Sequence, residues 1–263
     1  MAADGSEALL RHVPHRVGST TAKVDAAAIA ERPCFLCAKS LPPEQRGLPW
    51  RDEWVLLCNP FPVVGRHLTV VHRDHTPQRV DGTLPVLLDL AAELPGSFTL
   101  YNGPRCGASA PDHLHLQAGD RAGLPIVREA AACGGVALRA RGARALLFRG
   151  DRGRVLDAGH AALEALAAVA PQEPEPWCNV AAWHEPGAGF SLVVFPRAKH
   201  RPDAFHRGER TVSPASIDMS GILVTPMRKD FDALGSEEAA AIYDEVSIGE
   251  EPFREVVARL EGR

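Results

Sequence analysis

The sequence has little net charge, few cysteines and no long apolar run. Its formal net charge is -4 over 263 residues, so no global attraction to nucleic acid or acidic membranes is expected and any phosphate-binding surface must be local. No stretch approaches eighteen consecutive apolar residues, and the first residues lack the charged head and apolar run of a signal peptide. We therefore expect a cytoplasmic protein without nucleic-acid or membrane partners.

The six cysteines are too sparse for a disulfide scaffold in a chain that is 45% hydrophobic and 24% charged. Only Cys34 and Cys37, in "RPCFLC", form a close pair. Two cysteines separated by two residues allow one tight turn to offer two thiolates to zinc. A buried, reduced pair of thiols without a metal is the alternative.

Apolar patterning predicts the order strand, strand, helix, strand, strand twice along the chain. In the first half these elements cover 53–61, 66–72, 83–96, 97–103 and 113–119. In the second half they cover 135–140, 143–150, 158–171, 177–183 and 190–197. A repeated order indicates two related halves, which we divide at 1–123 and 124–263.

Matching Asn179 to Asn102 gives an offset of 77 residues between the halves. That offset places Phe190 on His113, Leu192 on His115, Val194 on Gln117, and Arg144 to Phe148 on His67 to Val71. The second half then has no equivalent of the histidines and is interpreted as a degenerate copy. A different register, in which "HLTVVHRDHTP" matches "FSLVVFPRAKHRP", remains open.

The chain beyond Pro202 is predicted to contain a loop-rich insert at 203–221 and a strand at 221–226. Helices are predicted at 236–247 and 251–263, where charged and apolar residues alternate in the manner of an amphipathic helix packed on a protein body. We interpret this tail as a structural cap.

The stretch "GASAPDHLHLQAG" carries two histidines and a glutamine at alternate positions. Side chains two residues apart on a strand point to the same side, so His113, His115 and Gln117 are expected to converge. The preceding glycine-rich loop can bring backbone N–H groups to a phosphate, with Asn102, Gly107 and the Ser109 hydroxyl as candidate contacts. A pair of polar histidines on an exposed strand is the simpler alternative.

The run "NGPRCGASAPDHLHLQA" resembles the active-site segment of the transferase branch of the histidine-triad superfamily. This branch includes galactose-1-phosphate uridylyltransferases, diadenosine tetraphosphate phosphorylases and GDP-hexose phosphorylases, and the last have a similar H-L-H-F-Q-A run. Relative to the uridylyltransferases, one extra residue, Asp112, separates Ser109 from the first histidine. The resemblance implies an α+β fold of two half-domains, each an antiparallel sheet with helices, that form a pseudo-dimer within one chain.

The resemblance also implies the role of each residue in the motif. His115 matches the nucleophile, which attacks the α-phosphorus of a nucleotide and forms a covalent nucleotidyl-histidine. Gln117 matches the residue that hydrogen-bonds a non-bridging phosphate oxygen as charge develops. Because a glutamine cannot protonate a leaving group as a third histidine would, transfer to phosphate or to a phosphorylated acceptor is favoured over transfer to water.

Zinc-bearing members of the superfamily complete the metal site with two histidines. These match His75 and His113, which would join Cys34 and Cys37 as ligands of a structural Zn²⁺. His72 is the competing ligand if the second strand ends earlier.

Two clusters of basic residues could supply positive charge to phosphate. The first contains Arg16, Ser19, Thr20 and Lys23, and the resemblance implies nucleotide phosphate binding by N-terminal basic residues. The second contains Arg197, Lys199, His200 and Arg201, and Arg105 is a further candidate. Solvated surface charge is the alternative for each cluster, and no role is assigned to His12, His15, His160, His184 or His206.

The sequence thus predicts a nucleotidyltransferase of the phosphorylase type. It would cleave a nucleoside diphosphate sugar or a dinucleoside polyphosphate with phosphate, through nucleotidyl-His115. The alternatives are a hydrolase of nucleotide conjugates and a non-catalytic nucleotide-binding protein. Because the resemblance implies a pseudo-dimer within one chain, we expect a monomer.

Overall fold

A nine-stranded sheet forms the centre of the computed structural model, which describes residues 6–262. The strands are β1 Leu9–His12, β2 Gly47–Trp50, β3 Trp54–Cys58, β4 Leu68–His72, β5 Ser97–Asn102, β6 His115–Asp120, β7 Ala137–Ala140, β8 Ala143–Gly150, β9 Cys178–Glu185, β10 Gly189–Pro196 and β11 Ile222–Thr225. The α-helices are α1 Val17–Thr20, α2 Ala26–Ala30, α3 Thr83–Glu93, α4 Pro125–Ala132, α5 Arg152–Val169, α6 Asp203–His206, α7 Ser216–Met219, α8 Arg228–Ala233, α9 Ser236–Val246 and α10 Glu250–Glu261. None of these helices has both the length and the apolar character needed to cross a bilayer.

The strand order in the large sheet is β2-β3-β4-β6-β5-β9-β10-β8-β7, and every neighbouring pair is antiparallel. Strands β3-β4-β6-β5 on one side therefore match β7-β8-β10-β9 on the other. The two halves meet between β5 and β9, where Asn102 lies directly opposite Asn179. The α+β pseudo-dimer within one chain is confirmed.

The offset of 77 is nevertheless wrong for β6 and β10. Gln117 lies opposite Leu100, so it shares a sheet face with the core cluster that contains Leu100, Val193 and Phe195. Leu192 and Val194, the residues that the offset matches to the motif, pack in the cluster on the opposite face. A register shift by an odd number of residues exchanges the two faces of a strand, which is why the simple offset fails there.

The register of β4 and β8 is also wrong in that alignment. Thr69 lies opposite Gln117 and faces the same side, whereas its match at an offset of 77, Leu146, belongs to the other cluster. The alternative match between "HLTVVHRDHTP" and "FSLVVFPRAKHRP" fails as well. It equates β4 with β10, while the symmetry of the sheet equates β4 with β8.

Helices α3, α5 and α10 cover one face of the sheet. Leu84, Leu87 and Leu88 on α3 are fully buried, at the three- and four-residue spacing that forms one helix face. In α5, the Asp151 side chain caps the first turn by accepting a hydrogen bond from the Arg154 N–H at 2.9 Å. Phe253 and Val256 of α10 are buried in the same core cluster, so the last helix packs on the body, as the amphipathic pattern predicts.

The opposite face is covered by segments from both ends of the chain. Strand β1 pairs in parallel with β11, and residues of α4, α7 and α9 complete the core on this side. The sequence analysis did not identify β1, β2 or α4. The division at 123 and 124 remains a prediction, and the parallel β1–β11 pair joins the two parts.

Candidate functional site

An open cleft of about 500 Å³ lies on the sheet face opposite α3, α5 and α10. Its floor contains Thr69 of β4 and His115 and Gln117 of β6. Its walls are largely apolar and include Phe35 and Phe61, whose side chains are 45% and 47% exposed. Such a volume, with apolar walls and a few polar groups, is typical of a small-molecule site.

His115 begins strand β6 and is almost fully buried. Its Nδ1 lies 2.8 Å from the carbonyl oxygen of His113, which can only accept, so Nδ1 carries the proton. Burial lowers the pKa of the ring, so the imidazole is neutral at physiological pH. Its Nε2 therefore has an unprotonated lone pair, and no described residue hydrogen-bonds to that atom.

Gln117 is held in one orientation by His67. The Val63 N–H donates to His67 Nδ1 at 3.1 Å, which leaves the proton of the neutral ring on Nε2. That nitrogen lies 2.8 Å from Gln117 Oε1 and donates to it. Burial, with a smaller contribution from Arg16, lowers the pKa of His67 to about 4, so this arrangement holds at neutral pH. The amide N–H groups of Gln117 are thus left for another acceptor.

Gln78 fixes the backbone around the motif. Its Oε1 accepts from the His115 N–H at 2.9 Å, and its Nε2 donates to the carbonyls of Asn102 and His115 at 2.9 and 3.0 Å. Val71 of β4 pairs with His115 of β6. The backbone of His115, the nucleophile candidate, is therefore held both by Gln78 and by strand β4.

The sequence-based motif is split between two sites. Strand β6 begins only at His115, so His113 lies in the preceding turn and does not line the cleft with His115 and Gln117. The expected convergence of all three side chains is therefore wrong. The backbone connects the two sites, since the His113 carbonyl fixes the ring of His115.

The four residues proposed as metal ligands come together. Cys34 Sγ, Cys37 Sγ and a ring nitrogen of each of His75 and His113 lie within 4.8 Å of one another. The Nδ1 of His113 is 3.3 Å from Cys34 Sγ and 3.6 Å from Cys37 Sγ, and His75 Nδ1 is 3.2 Å from Cys37 Sγ. Two sulfurs and two imidazole nitrogens form a donor set that suits tetrahedral Zn²⁺.

The protonation of His113 fits the same interpretation. Its Nε2 donates to the carbonyl of His72 at 2.7 Å, which leaves Nδ1 unprotonated and directed at the thiols. Burial raises the pKa of Cys34, so binding of a cation by this thiol requires loss of its proton. The ring of His72, the competing candidate, packs against Trp54 with centroids 5.2 Å apart and is not part of the cluster.

Six of the predicted phosphate-binding residues surround a small polar cavity of about 50 Å³ next to Gln117. They are Arg16, Ser19, Thr20, Asn102, Gly107 and Ser109. Gly107 has a φ of 97°, and a Cβ there would lie 2.6 Å from that of Ala215, so the loop needs glycine at this position. Ser213, Ala215 and Asp218 of the second half also line this cavity.

Other predicted phosphate contacts, among them Arg105, do not line the two cavities. Lys23 is exposed and lines neither of them. Arg197 is buried, and its donors bond to Asn179 Oδ1 and to the carbonyls of Val246, Pro214, Lys199 and His200. Lys199 pairs with Asp203 and Glu245, at 2.7 Å in each case. Arg197 therefore links buried segments of the fold and Lys199 forms surface ion pairs, so the structure does not support phosphate binding by either residue.

Sequence reasoning missed three residues at the site. The sequence pattern assigns His67 only to the internal repeat. Its position two residues before Thr69 nevertheless places both side chains on the same side of the chain. His15, which had no role, lines the cleft with its ring stacked on Phe61, the centroids 6.1 Å apart. Gln78 lies in an irregular loop, and no sequence pattern distinguishes it.

Two family models match separate parts of the chain. One is described as "Domain of unknown function (DUF4922)" and matches residues 1–120. The other is described as "GDPGP1-like, C-terminal domain" and matches residues 159–260. No curated protein matches the chain significantly.

The fold is similar to that of yeast Ap4A phosphorylase Apa2. The crystal structure of that enzyme matches with a TM-score of 0.61 at 17% identity, over 84% of this chain and 83% of the yeast chain. Its complex with AMP matches with a TM-score of 0.57 at 19% identity, over 75% and 73% of the two chains. Its complex with Ap4A gives 0.54 at 17% identity, over 76% and 75%. The fold similarity and the match of residues 159–260 to the GDPGP1-like model agree with the resemblance carried by the histidine motif.

Proposed function

We propose that this protein is a nucleotidyl-transferring phosphorylase that acts through a covalent nucleotidyl-histidine. The observation that carries the proposal is the state of His115, a neutral ring on the cleft floor whose Nδ1–H is bound to a backbone carbonyl. Such a ring presents Nε2 as a nucleophile without needing a separate base to remove a proton.

In the first step, Nε2 of His115 attacks the α-phosphorus of the substrate. A nitrogen–phosphorus bond forms, and the bond between the α-phosphorus and the oxygen bridging to the β-phosphorus breaks, so the leaving group departs on that oxygen. In the second step, an oxygen of inorganic phosphate attacks the same phosphorus and the nitrogen–phosphorus bond breaks. The product is a nucleoside diphosphate, whether the substrate is a nucleoside diphosphate sugar or a dinucleoside polyphosphate.

Gln117 is proposed to stabilise the charge that develops on the phosphoryl oxygens. Because His67 occupies Oε1 of the amide, the N–H groups are free to donate to a non-bridging oxygen. Preorganised donors of this kind act most strongly where water is largely excluded. Arg16 lines both cavities and supplies the nearby positive charge.

The apolar part of the cleft is proposed to hold the nucleobase. Phe35 and Phe61 both line the cleft, and exposed aromatic rings offer a surface on which a base can stack. The small polar cavity beside Gln117 is proposed to receive phosphate oxygens, through Ser19, Ser109 and the Gly107 loop.

A structural Zn²⁺ is proposed at Cys34, Cys37, His75 and His113. When bound, the ion would cross-link three segments that lie far apart in sequence. Two residues connect this site with the cleft. His113 positions His115 through its carbonyl, and Phe35, which lies between the two cysteines in the sequence, is part of the cleft wall.

Purified protein given phosphate and a panel of nucleotide sugars and dinucleoside polyphosphates should release a nucleoside diphosphate. Without phosphate, mass spectrometry of the wild type should detect a covalent nucleotide adduct. His115→Ala should abolish both turnover and this adduct, because His115 is the proposed nucleophile. His184→Ala, on a strand away from the cleft, is the control and should retain activity.

Other outcomes would select among the alternatives. Release of a nucleoside monophosphate, independent of phosphate, would identify a hydrolase and contradict the phosphorylase. Absence of any adduct across the panel would favour a non-catalytic nucleotide-binding protein. A cytoplasmic location and a monomeric state remain predictions.

A further inference from the structure

Asp112, the extra residue of the motif, lies beside the proposed metal cluster. Its Oδ2 is 3.7 Å from Nε2 of His75, and its Oδ1 is 3.0 Å from Nη2 of Arg32. The side chain of Asp112 is 15% exposed, and that of Arg32 is 25% exposed. This carboxylate thus pairs with Arg32 and lies beside the ring of a proposed metal ligand, at a distance somewhat longer than a hydrogen bond.

The two ring nitrogens of His75 face different groups. Nδ1 lies 3.2 Å from Cys37 Sγ, so it is the nitrogen available to a metal. A neutral ring that binds metal through Nδ1 carries its proton on Nε2, which is the nitrogen next to Asp112. A carboxylate behind a metal-binding histidine fixes the orientation of the ring and increases its basicity.

Arg32 connects Asp112 with the cleft. The same Nη2 that pairs with Asp112 lies 3.3 Å from the carbonyl oxygen of Ser109 and donates to it. The guanidinium also lies over the ring of Phe35, 5.1 Å from its centroid. Ser109 and Phe35 both line the cleft. Arg32 therefore contacts both the glycine-rich loop that contains Ser109 and the apolar cleft wall that contains Phe35.

We propose that Asp112 and Arg32 are a positioning pair that holds His75 as a metal ligand and couples the metal cluster to the nucleotide cleft. The proposal rests on the metal site of the proposed function but requires no catalytic step. Removal of Asp112 frees the ring of His75 and releases Arg32 from its partner. The metal affinity and the shape of the cleft wall then change together.

The test uses Co²⁺ alone, added to metal-free protein, since its visible absorption reports a tetrahedral site with sulfur ligands. Asp112→Ala should weaken Co²⁺ binding by about 10- to 100-fold, the usual effect of losing such a partner. Asp112→Asn, which keeps an acceptor without the charge, should fall between this variant and the wild type. The spectrum at saturation should stay unchanged, because all four ligands remain.

Asp74→Ala is the matched control. Asp74 immediately precedes His75 and is exposed, and its carboxylate makes no hydrogen bond or ion pair with the described residues. Its loss changes the local charge equally and should leave the Co²⁺ affinity unchanged. Arg32→Met provides a second variant if Asp112→Ala does not fold, and it should also weaken Co²⁺ binding, with no additional loss in the double variant.

Coupling to the cleft is measured by binding of AMP and GMP with and without Co²⁺. In the wild type, the metal should tighten binding of the better nucleotide by about 5-fold or more. In Asp112→Ala saturated with Co²⁺, this difference should disappear. An unchanged difference would overturn the coupling.

The results separate the possible failures. Equal Co²⁺ affinity in Asp112→Ala and the wild type would overturn the pair while leaving the metal site intact. Unchanged Co²⁺ binding in Cys34→Ser would overturn the metal site and the pair with it. Neither result bears on phosphorolysis, which is measured separately through the release of a nucleoside diphosphate.

Discussion

Three histidines at the site have different chemistry because a different backbone group fixes each ring. The rings of His113 and His115 donate to carbonyls, whereas that of His67 accepts from an N–H. The free nitrogen is therefore Nδ1 in His113, toward the thiols, and Nε2 in His115. In His67 the remaining nitrogen is a donor, committed to Gln117. Residue type alone does not reveal these differences.

At the residue scale, His67→Phe should reduce kcat by about 10-fold or more. The variant keeps an aromatic ring in the buried position but leaves Gln117 free to rotate its acceptor toward the phosphate. Removing a preorganised donor typically costs about 100- to 1000-fold, and misorientation should cost part of this. Steady-state kinetics with saturating phosphate measures the effect.

The Gln117→Ala background is the control for that variant. If His67 acts through Gln117, adding His67→Phe to Gln117→Ala should cause no further loss of kcat. Fully additive losses of kcat would show that His67 does not act through Gln117. The thermal unfolding midpoint of each variant would distinguish a loss of activity from a general loss of stability.

At the element scale, regular patterning was predicted well and long-range placement was not. Strand β8 matches the sequence prediction of 143–150 at both ends, because its alternation and flanking glycine are local signals. The loop at 203–221 was recognised as irregular, but its approach to Gln117 through Ser213 and Ala215 depends on contacts that are distant in the sequence. Strand β1 is short and is stabilised by β11, which lies about 210 residues later.

The cluster of Cys34, Cys37, His75 and His113 could be predicted because the spacing of the two cysteines and the resemblance together carry the information. The register between the halves could not, since a shift by one residue keeps the apolar content of each strand and changes only the face that the apolar residues occupy. The role of Arg197 was misread for a related reason. A basic residue at the end of a strand looks the same in sequence whether it faces solvent or, as Arg197 does, five hydrogen-bond acceptors of the protein.

The segment that includes α1 depends on an arginine of the second half for its position. Arg201 Nη2 donates to the carbonyls of Thr20 and Ala22 at 2.8 and 2.9 Å, and its Nε donates to Ser213 Oγ at 3.1 Å. Arg201→Met should therefore loosen the segment that presents Arg16 and Ser19. We expect KM for the nucleotide to rise about 10-fold, with a smaller change in kcat, since uniform binding is lost.

Lys199→Met is the matched control for the arginine variant. It removes one positive charge from the same loop, but Lys199 lines neither cavity and pairs only with Asp203 and Glu245 among the described residues. Its KM should equal that of the wild type. A similar rise in both variants would indicate long-range attraction of phosphate by the loop and contradict positioning by Arg201.

At the scale of the whole molecule, the candidate site residues lie mainly in one half of the sheet, and buried residues of the other half hydrogen-bond to them. The β5–β9 contact places Asn102 against Asn179, whose Nδ2 donates to Asn102 Oδ1 at 3.0 Å. Arg197 donates to the other side of the Asn179 amide. The second half thus contributes buried hydrogen bonds next to the loop that contains Gly107, although it has no counterpart of the histidine motif in its sequence.

The stability of the fold should fall as the pH decreases from about 6.5 to about 4, in part because of His67. Its pKa is lowered to about 4 in the folded protein, against about 6.5 in an unfolded chain. Between these values the unfolded state binds a proton that the folded state does not, so the contribution of His67 is complete above pH 6.5 and is lost on acidification. Its full extent is about 3 kcal/mol at about 1.4 kcal/mol per pH unit.

Urea unfolding of the wild type and His67→Phe at several pH values between 7 and 4 measures this contribution. Carboxylates and other histidines affect both proteins equally, so the difference in unfolding free energy isolates His67. The unfolding free energy of the wild type should fall more than that of the variant over this range. The difference between the two proteins should therefore change with pH, on top of an effect of the substitution that is the same at every pH. Parallel curves would show that His67 titrates near its ordinary pKa, and the fixed hydrogen-bonding state assigned to Gln117 would then not hold across this range.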